Sequence, residues 1–189
     1  MNSDLINKAI VFATEAHKTQ KRKGTEIPYI VHPLETGVIA AAMTDDDRVV
    51  AAAFLHDTIE DTGTDKETLT ELFGERVAYL VANESENKRE GTPEGETWKI
   101  RKQETIDHLK CCTDNDIKII ALSDKLANLR AISRDYAELG EKFWSRFNQS
   151  NPSELKWYYA SFLDTCRCLE NKQPYKEYAE LIEKVFGKF

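Results

Sequence analysis

Apolar residues recur at three- and four-residue spacing along almost the whole chain, and that periodicity restricts the fold to packed helices. Leu5, Ile6, Ala9, Ile10, Ala13 and Ala16 share one face behind Ser3, a side chain suited to capping a helix N-terminus. Pro33 suits the first turn of a second helix carrying Leu34, Val38, Ile39 and Ala42. Asp45-Asp46-Asp47 precedes a run through Val49, Val50, Ala53 and Phe54, expected to continue through His56-Asp57 and to close at Gly63. Further helices are expected over 65–73 (stopped by Gly74), 75–85, 97–112, from 115 through 129, and over 139–148, 152–170 and 174–186. Residues 86–96 hold no large apolar side chain and read as a mobile loop able to lie over a site. No strand-like pair flanks a hairpin turn, and no repeat or linker is present. The expected architecture is all-α, a bundle of roughly eight to ten helices in one domain over 1–189. Its core falls in about 8–160, with the C-terminal helices of 152–186 packed on it. A chain of 189 residues can bury one such core.

One apolar run ends abruptly in charge. Ala51-Ala52-Ala53-Phe54-Leu55 is followed by His56-Asp57-Thr58-Ile59-Glu60-Asp61. Ionisable groups drawn to the depth of a core are costly unless paired or bound to a metal. His32, after Tyr29-Ile30-Val31, and Asp124, after an apolar run from Ile117 to Ser123, stand at similar edges. On a continuous helix, His56 and Glu60, Asp57 and Asp61, and Asp57 and Glu60 would share faces. Two imidazoles (His32, His56) and two carboxylates (Asp57, Asp124) form a mixed nitrogen and oxygen ligand set suited to a harder divalent ion such as Mn²⁺. Glu60 and Asp61, one turn on, are placed to orient water or move its proton. His17 and His108 read instead as satisfied core histidines.

The formal net charge of −7 disfavours a nucleic-acid backbone as partner, while leaving room for a small phosphate ligand. Lys21, Arg22 and Lys23, then Lys99, Arg101 and Lys102, then Lys125 and Arg130 are the local cations such a ligand would need. No apolar run is long enough to span a bilayer, and the first residues lack a signal-peptide pattern, so a cytoplasmic, non-membrane protein is expected. Cys111-Cys112 and Cys166-x-Cys168 lack zinc-ligand spacing and read as small core residues. No oligomeric state follows from the sequence.

Four ordered segments extend this reading. Residues 20–34 (Gln20-Lys21-Arg22-Lys23 through His32-Pro33-Leu34), 53–62 (the His-Asp and Glu-Asp segment), 73–77 (Phe73-Gly74-Glu75-Arg76-Val77) and 122–129 (Leu122-Ser123-Asp124-Lys125-Leu126-Ala127-Asn128-Leu129) together resemble the HD-domain phosphohydrolases. The match is to the small alarmone hydrolases, similar to the hydrolase domain of Rel/SpoT proteins. The stretch around Asp135-Tyr136, Trp144-x-Arg146-Phe147-Asn148 and Trp157-Tyr158-Tyr159 resembles a stand-alone subgroup. The resemblance implies one Mn²⁺ on His32, His56, Asp57 and Asp124, with Glu60 and Asp61 as the catalytic pair. It implies Arg22 and Lys23 at the base or its phosphates, Asn128 at the sugar, and Lys125 among the substrate contacts. The implied reaction removes the 3′-pyrophosphate of guanosine tetra- or pentaphosphate, giving GDP or GTP. The chain departs from the family pattern in a longer stretch from Arg22 to His32 and at Ala121, Lys125, Ala127 and Asn83-Glu84-Ser85, which alters the substrate pocket and keeps the ligand set. Alternatives of the same fold act on NADPH, a dNTP or a nucleoside monophosphate. Alternatives of another class are a non-catalytic nucleotide sensor and a ligand-free helical scaffold.

Overall fold

A computed structural model of the protein describes residues 3–85, 89, 91–146 and 149–187. Its α-helices are α1 (Ser3–Ala16), α2 (Val31–Ala41), α3 (Asp47–Leu55), α4 (Thr58–Asp61), α5 (Lys66–Phe73), α6 (Glu75–Ala82), α7 (Glu94–Cys111), α8 (Asn115–Leu139), α9 (Pro152–Thr165) and α10 (Gln173–Phe186). Among the described residues there is no named strand; Lys21 and Pro28 form one isolated antiparallel bridge. The all-α expectation holds.

Two aspartates and a glycine mark the ends of α3 and α5. Asp46 accepts the Arg48 N–H at the start of α3, Asp65 accepts from Thr68 at α5, and Gly74 ends α5 at φ +87°. Asp114 and Asn151 cap α8 and α9 in the same way. Several boundaries differ: the helix expected over 152–170 stops at Thr165, and a short 3₁₀ turn, Arg167–Leu169, follows it. Helix α6 ends at Ala82, and α7 begins at Glu94 because Pro93 opens it. The stretch expected as a helix over 139–148 is a 3₁₀ segment, Gly140–Arg146, entered through Gly140 at φ +57°. Of the loop expected over 86–96, residues 86–88 and 90 lie outside the described residues, as do Phe147 and Asn148.

Helix α3 is the hub. Val49 through Leu55 are all buried, so the helix is apolar on every side and is surrounded. It packs against α1, α2, α6 and α8, and α8 in turn packs on α2 and α10. The α2–α3 seam is close: a Cβ built on Gly37 would lie 2.3 Å from the Phe54 ring. Pro174, Tyr178, Ile182 and Val185 form the buried stripe that seats α10. No described helix is long and apolar enough to cross a membrane.

The cysteine reading needs correction. Only Cys166 is buried; Cys111 and Cys168 are exposed, Cys112 is half-buried, and all four are free thiols. Each pair straddles a helix end, where one side chain faces in and the other out.

Candidate metal centre

The helix expected to run through His56 and Asp57 is interrupted there. Thr58 Oγ1 donates to the Leu55 carbonyl at 2.7 Å, and His56 Nδ1 bonds the Ala53 carbonyl at 2.9 Å. Side chains thus take carbonyls of the last turn of α3, a local competition that ends a helix. Asp57, at φ −91° and ψ −2°, then starts the one-turn helix α4, with its carbonyl accepting the Asp61 N–H at 2.9 Å. The shared-face spacing drawn for one continuous helix therefore does not apply across residue 57. The break turns both His56 and Asp57 toward the same point.

There they meet His32 from the first turn of α2 and Asp124 from the middle of α8. His56 Nε2 lies 2.9 Å from Asp57 Oδ2 and 3.8 Å from Asp124 Oδ1. His32 Nε2 lies 3.1 Å from Asp124 Oδ1 and 3.5 Å from Asp57 Oδ2. His32, His56 and Asp124 are buried, and their ligand atoms lie within 4.8 Å of one another. The His56 ring is oriented to accept a metal. Its Nδ1 faces a carbonyl and so carries a proton, while the buried Nε2 is turned onto Asp57 Oδ2 and Asp124 Oδ1. A ring nitrogen turned onto two carboxylates in a largely buried cluster is what a divalent cation, displacing the proton, would satisfy. Two nitrogen and two oxygen donors suit Mn²⁺ and similar ions.

The electrostatics follow from burial against charge. Burial opposes the charged form of His56, but the Asp57 carboxylate, its hydrogen bond and Asp124 outweigh it, so the imidazole is pushed up to about 9. Burial lowers His32, partly offset by Asp124. Burial would raise Asp57 and Asp124. Instead His56 holds Asp57, and Lys125 with His32 holds Asp124, below the usual carboxylate range.

One cavity reaches this cluster at His32, and a second opens beyond Lys125. One, of about 360 Å³, is lined by Arg22, Lys23, Tyr29, His32, Asn128 and Tyr159 among others, a size that admits a small ligand. Arg22 donates to Asn128 Oδ1 at 2.7 Å, and Asn128 Nδ2 donates to Asp124 Oδ1 at 2.6 Å, so this wall is hydrogen-bonded to a carboxylate of the cluster. The other, of about 260 Å³, is lined by Glu84, Arg101, Glu104, His108, Ala121 and Lys125 among others. Three of the four substrate candidates, Arg22, Lys23 and Asn128, thus come together. Lys125 stands apart, on the second cavity, ion-paired to Asp124. His108 is exposed there rather than a core histidine. His17 is buried as expected and bonded through Nδ1 to Gln20, although its Nε2 has no partner. Arg130 grips Glu177 through two nitrogens and also reaches Glu35, and Lys99 pairs with Glu154 over the Trp157 ring. Those two cations hold helices together instead of facing either cavity.

Glu60 and Asp61 are half-buried on α4. Asp61 Oδ2 accepts from the Tyr29 hydroxyl at 3.2 Å, and the same hydroxyl donates to Asp57 Oδ2 at 2.7 Å. Tyr29 was not singled out by sequence, although it lies only three residues before His32. Burial and the neighbouring carboxylates raise its phenol far above the ordinary range, so it stays a donor. Glu84 was also missed. Burial, against the pull of Lys125, pushes its carboxyl up to about 8. The signal was available: like His56, Glu84 follows an apolar run, ending in Leu80-Val81-Ala82.

Residues 9–149 match the HD domain family. A Danio rerio protein named guanosine-3′,5′-bis(diphosphate) 3′-pyrophosphohydrolase MESH1 is 36% identical over 133 residues, covering 69% of this chain and 70% of that protein. An Aquifex aeolicus guanosine-3′,5′-bis(diphosphate) 3′-pyrophosphohydrolase is 36% identical over 135 residues, 69% of this chain and 18% of that one. A Myxococcus xanthus GTP pyrophosphokinase is 35% identical over 131 residues, 68% of this chain and 17% of that one. The chain therefore spans under a fifth of the length of those two bacterial relatives. Among solved structures, a metazoan ortholog of SpoT that hydrolyses ppGpp superposes with a TM-score of 0.76 at 25% identity, covering 99% of this chain and 98% of that one. A Listeria monocytogenes EGD-e protein superposes with a TM-score of 0.72 at 31% identity, covering 89% and 100%. With most of its length inside the family match and its His-Asp pair at the centre of the fold, this chain belongs to the HD domain family and groups there with relatives of the Rel/SpoT and MESH1 type.

Proposed function

We propose that the protein is a metal-dependent hydrolase that removes the 3′-diphosphate of guanosine 3′,5′-bis(diphosphate) or its pentaphosphate, giving pyrophosphate and GDP or GTP. One observation carries the reading: two imidazole nitrogens and two carboxylate oxygens converge at the edge of a cavity that also presents Arg22, Lys23 and Asn128. The relatives support the substrate. MESH1 and the Aquifex protein are named for this reaction, and the first shares most of its length with this chain.

In this reading His32, His56, Asp57 and Asp124 hold one Mn²⁺. When bound, such an ion lowers the pKa of water and polarises a phosphoryl oxygen. Arg22 and Lys23 take the base and its phosphates, Arg as a planar fork and Lys as a point charge. Asn128, held by both Arg22 and Asp124, offers its amide to the ribose. Glu60 and Asp61 accept the proton of the attacking water and return one to the departing 3′-oxygen. Water thus adds to phosphorus as the bond to the 3′-oxygen breaks, and the nucleotide leaves with a 3′-hydroxyl. Lys125, on the far side of Asp124, faces the second cavity, where the departing pyrophosphate has room. The C-terminal helices belong to the same catalytic unit, because α10 packs on α8, the helix that carries Asp124. A reducing, cytoplasmic setting suits the four free thiols.

The test is turnover by purified protein with Mn²⁺ of guanosine 3′,5′-bis(diphosphate), NADPH, a dNTP panel and nucleoside monophosphates. Pyrophosphate and GDP from the first alone support the proposal. Turnover of another member only would keep the metal centre and discard the alarmone. Metal binding with no turnover would make the protein a sensor.

A further inference from the structure

Asp61 is poorly held by its own helix. Helix α4 is four residues long, and the chain is extended by Thr62, at φ −131° and ψ −176°. A carboxylate there faces repulsion from Asp57. Residues about 30 to 40 positions earlier bind Asp61. Gln20 Nε2 donates to the Asp61 carbonyl at 2.6 Å. The Gln20 carbonyl accepts the Tyr29 N–H at 2.9 Å, and the Tyr29 hydroxyl reaches Asp57 Oδ2 at 2.7 Å and Asp61 Oδ2 at 3.2 Å. The direction of the Gln20 amide is fixed from behind. His17 Nδ1 lies 2.6 Å from Gln20 Oε1, so the oxygen is occupied and the NH₂ must face Asp61, whose carbonyl can only accept. His17 is 1% exposed, and its ring lies 5.0 Å from that of Tyr29, so the group packs as one block.

We propose that Gln20 and Tyr29 are positioning residues that clamp Asp61 beside the metal-ligating Asp57, Gln20 by the backbone and Tyr29 by the carboxylate. The inference rests on the reading of Asp61 as a proton-transfer group. A single hydroxyl shared between two carboxylates offsets their repulsion and fixes their separation. The Tyr29 ring also lines the larger cavity, with the Arg22 guanidinium 5.6 Å from its centroid, so the clamp is continuous with the proposed nucleotide wall.

Tyr29→Phe keeps the ring and removes only the hydroxyl. At saturating Mn²⁺ it is expected to lower kcat by about 10–100-fold, the range for loss of an outer partner of a metal ligand, with KM within about twofold. Gln20→Met should act in the same direction. The decisive comparison is the double variant. In an Asp61→Asn background, Tyr29→Phe should lower kcat by less than about threefold, because residues acting as a unit are not additive. A full multiplicative loss there, or an unchanged kcat in the single variant, overturns the clamp. A crystal structure of Tyr29→Phe with Mn²⁺ gives a readout without turnover. The Asp61 carboxylate is expected to shift by about 1 Å or more, enough to matter for catalysis; an unmoved carboxylate overturns the proposal. If the wild type hydrolyses no nucleotide, the functional reading fails, and the crystal structure alone decides the clamp.

Discussion

Gly37 sets how closely α2 and α3 approach, and so how closely His32 approaches His56. A Cβ at residue 37 would sit 2.3 Å from Cε1 and 2.4 Å from Cδ1 and Cζ of Phe54, whose ring is 5% exposed. Ordinary carbon contact needs about 3.5 Å, so the ring or the helix must yield by about 1.2 Å. Overpacking of that kind costs about 1–3 kcal/mol. Alanine regains about 0.5–1 kcal/mol of helix preference over glycine. The net expectation for Gly37→Ala is a loss centred near about 1 kcal/mol, or about 2–4 °C in Tm for a chain of this size. Urea and thermal unfolding followed by circular dichroism measure it. Because the strain opens the seam between two ligand-bearing helices, Mn²⁺ affinity should fall with stability. Phe54→Leu in the Gly37→Ala background should restore part of both, whereas Phe54→Leu alone should destabilise through the void it leaves. A Tm that is unchanged or raised in Gly37→Ala would refute the claim that this contact fixes the seam.

Glu60→Gln should leave Mn²⁺ stoichiometry intact and slow turnover by about 10²–10⁴-fold, the scale of general acid–base help; metal loss in that variant would make Glu60 structural. Asp57 pushes His56 up to about 9 in the metal-free protein, so below that pH the imidazole carries a proton that the ion must displace. Mn²⁺ should therefore bind more tightly as pH rises toward about 9 and release close to one proton near about pH 7.5, counted by calorimetry in buffers of different ionisation enthalpy. No proton release would contradict a charged His56. Arg130→Ala should cost about 1 kcal/mol, because Arg130 is only partly buried and its pairs with Glu177 and Glu35 are solvent-screened; a loss several times larger would mean that the network is a keystone of the α8–α10 packing.

Much of the fold was legible because it rests on local signals. Asp46, Asp65 and Gly74 mark helix ends through a side chain or a backbone angle that depends on a few neighbours. The cluster itself was legible because His32, His56 and Asp124 each stand at the edge of an apolar run, and burial forces such groups to find partners. What escaped depends on distant contacts. Gln20 meets Asp61 across 41 residues, and no spacing rule links them. The break at His56-Asp57 escaped because both residues keep helical angles, and only the side-chain bonds to the Ala53 and Leu55 carbonyls end the helix. Arg130 and Lys99 looked like phosphate cations because sequence shows charge but not its partner. Lys125 lies one residue from Asp124, and that single step on α8 sends it to the other cavity.

Hydrolysis of guanosine 3′,5′-bis(diphosphate) in H₂¹⁸O with Mn²⁺ tests the metal centre and its proposed chemistry together. Attack by water on the 3′-linked phosphorus should put one ¹⁸O into pyrophosphate and none into GDP, and Asp57→Asn should abolish both products while the protein stays folded. Label in GDP, release of orthophosphate in place of pyrophosphate, or undiminished turnover by Asp57→Asn would contradict hydrolysis at this site.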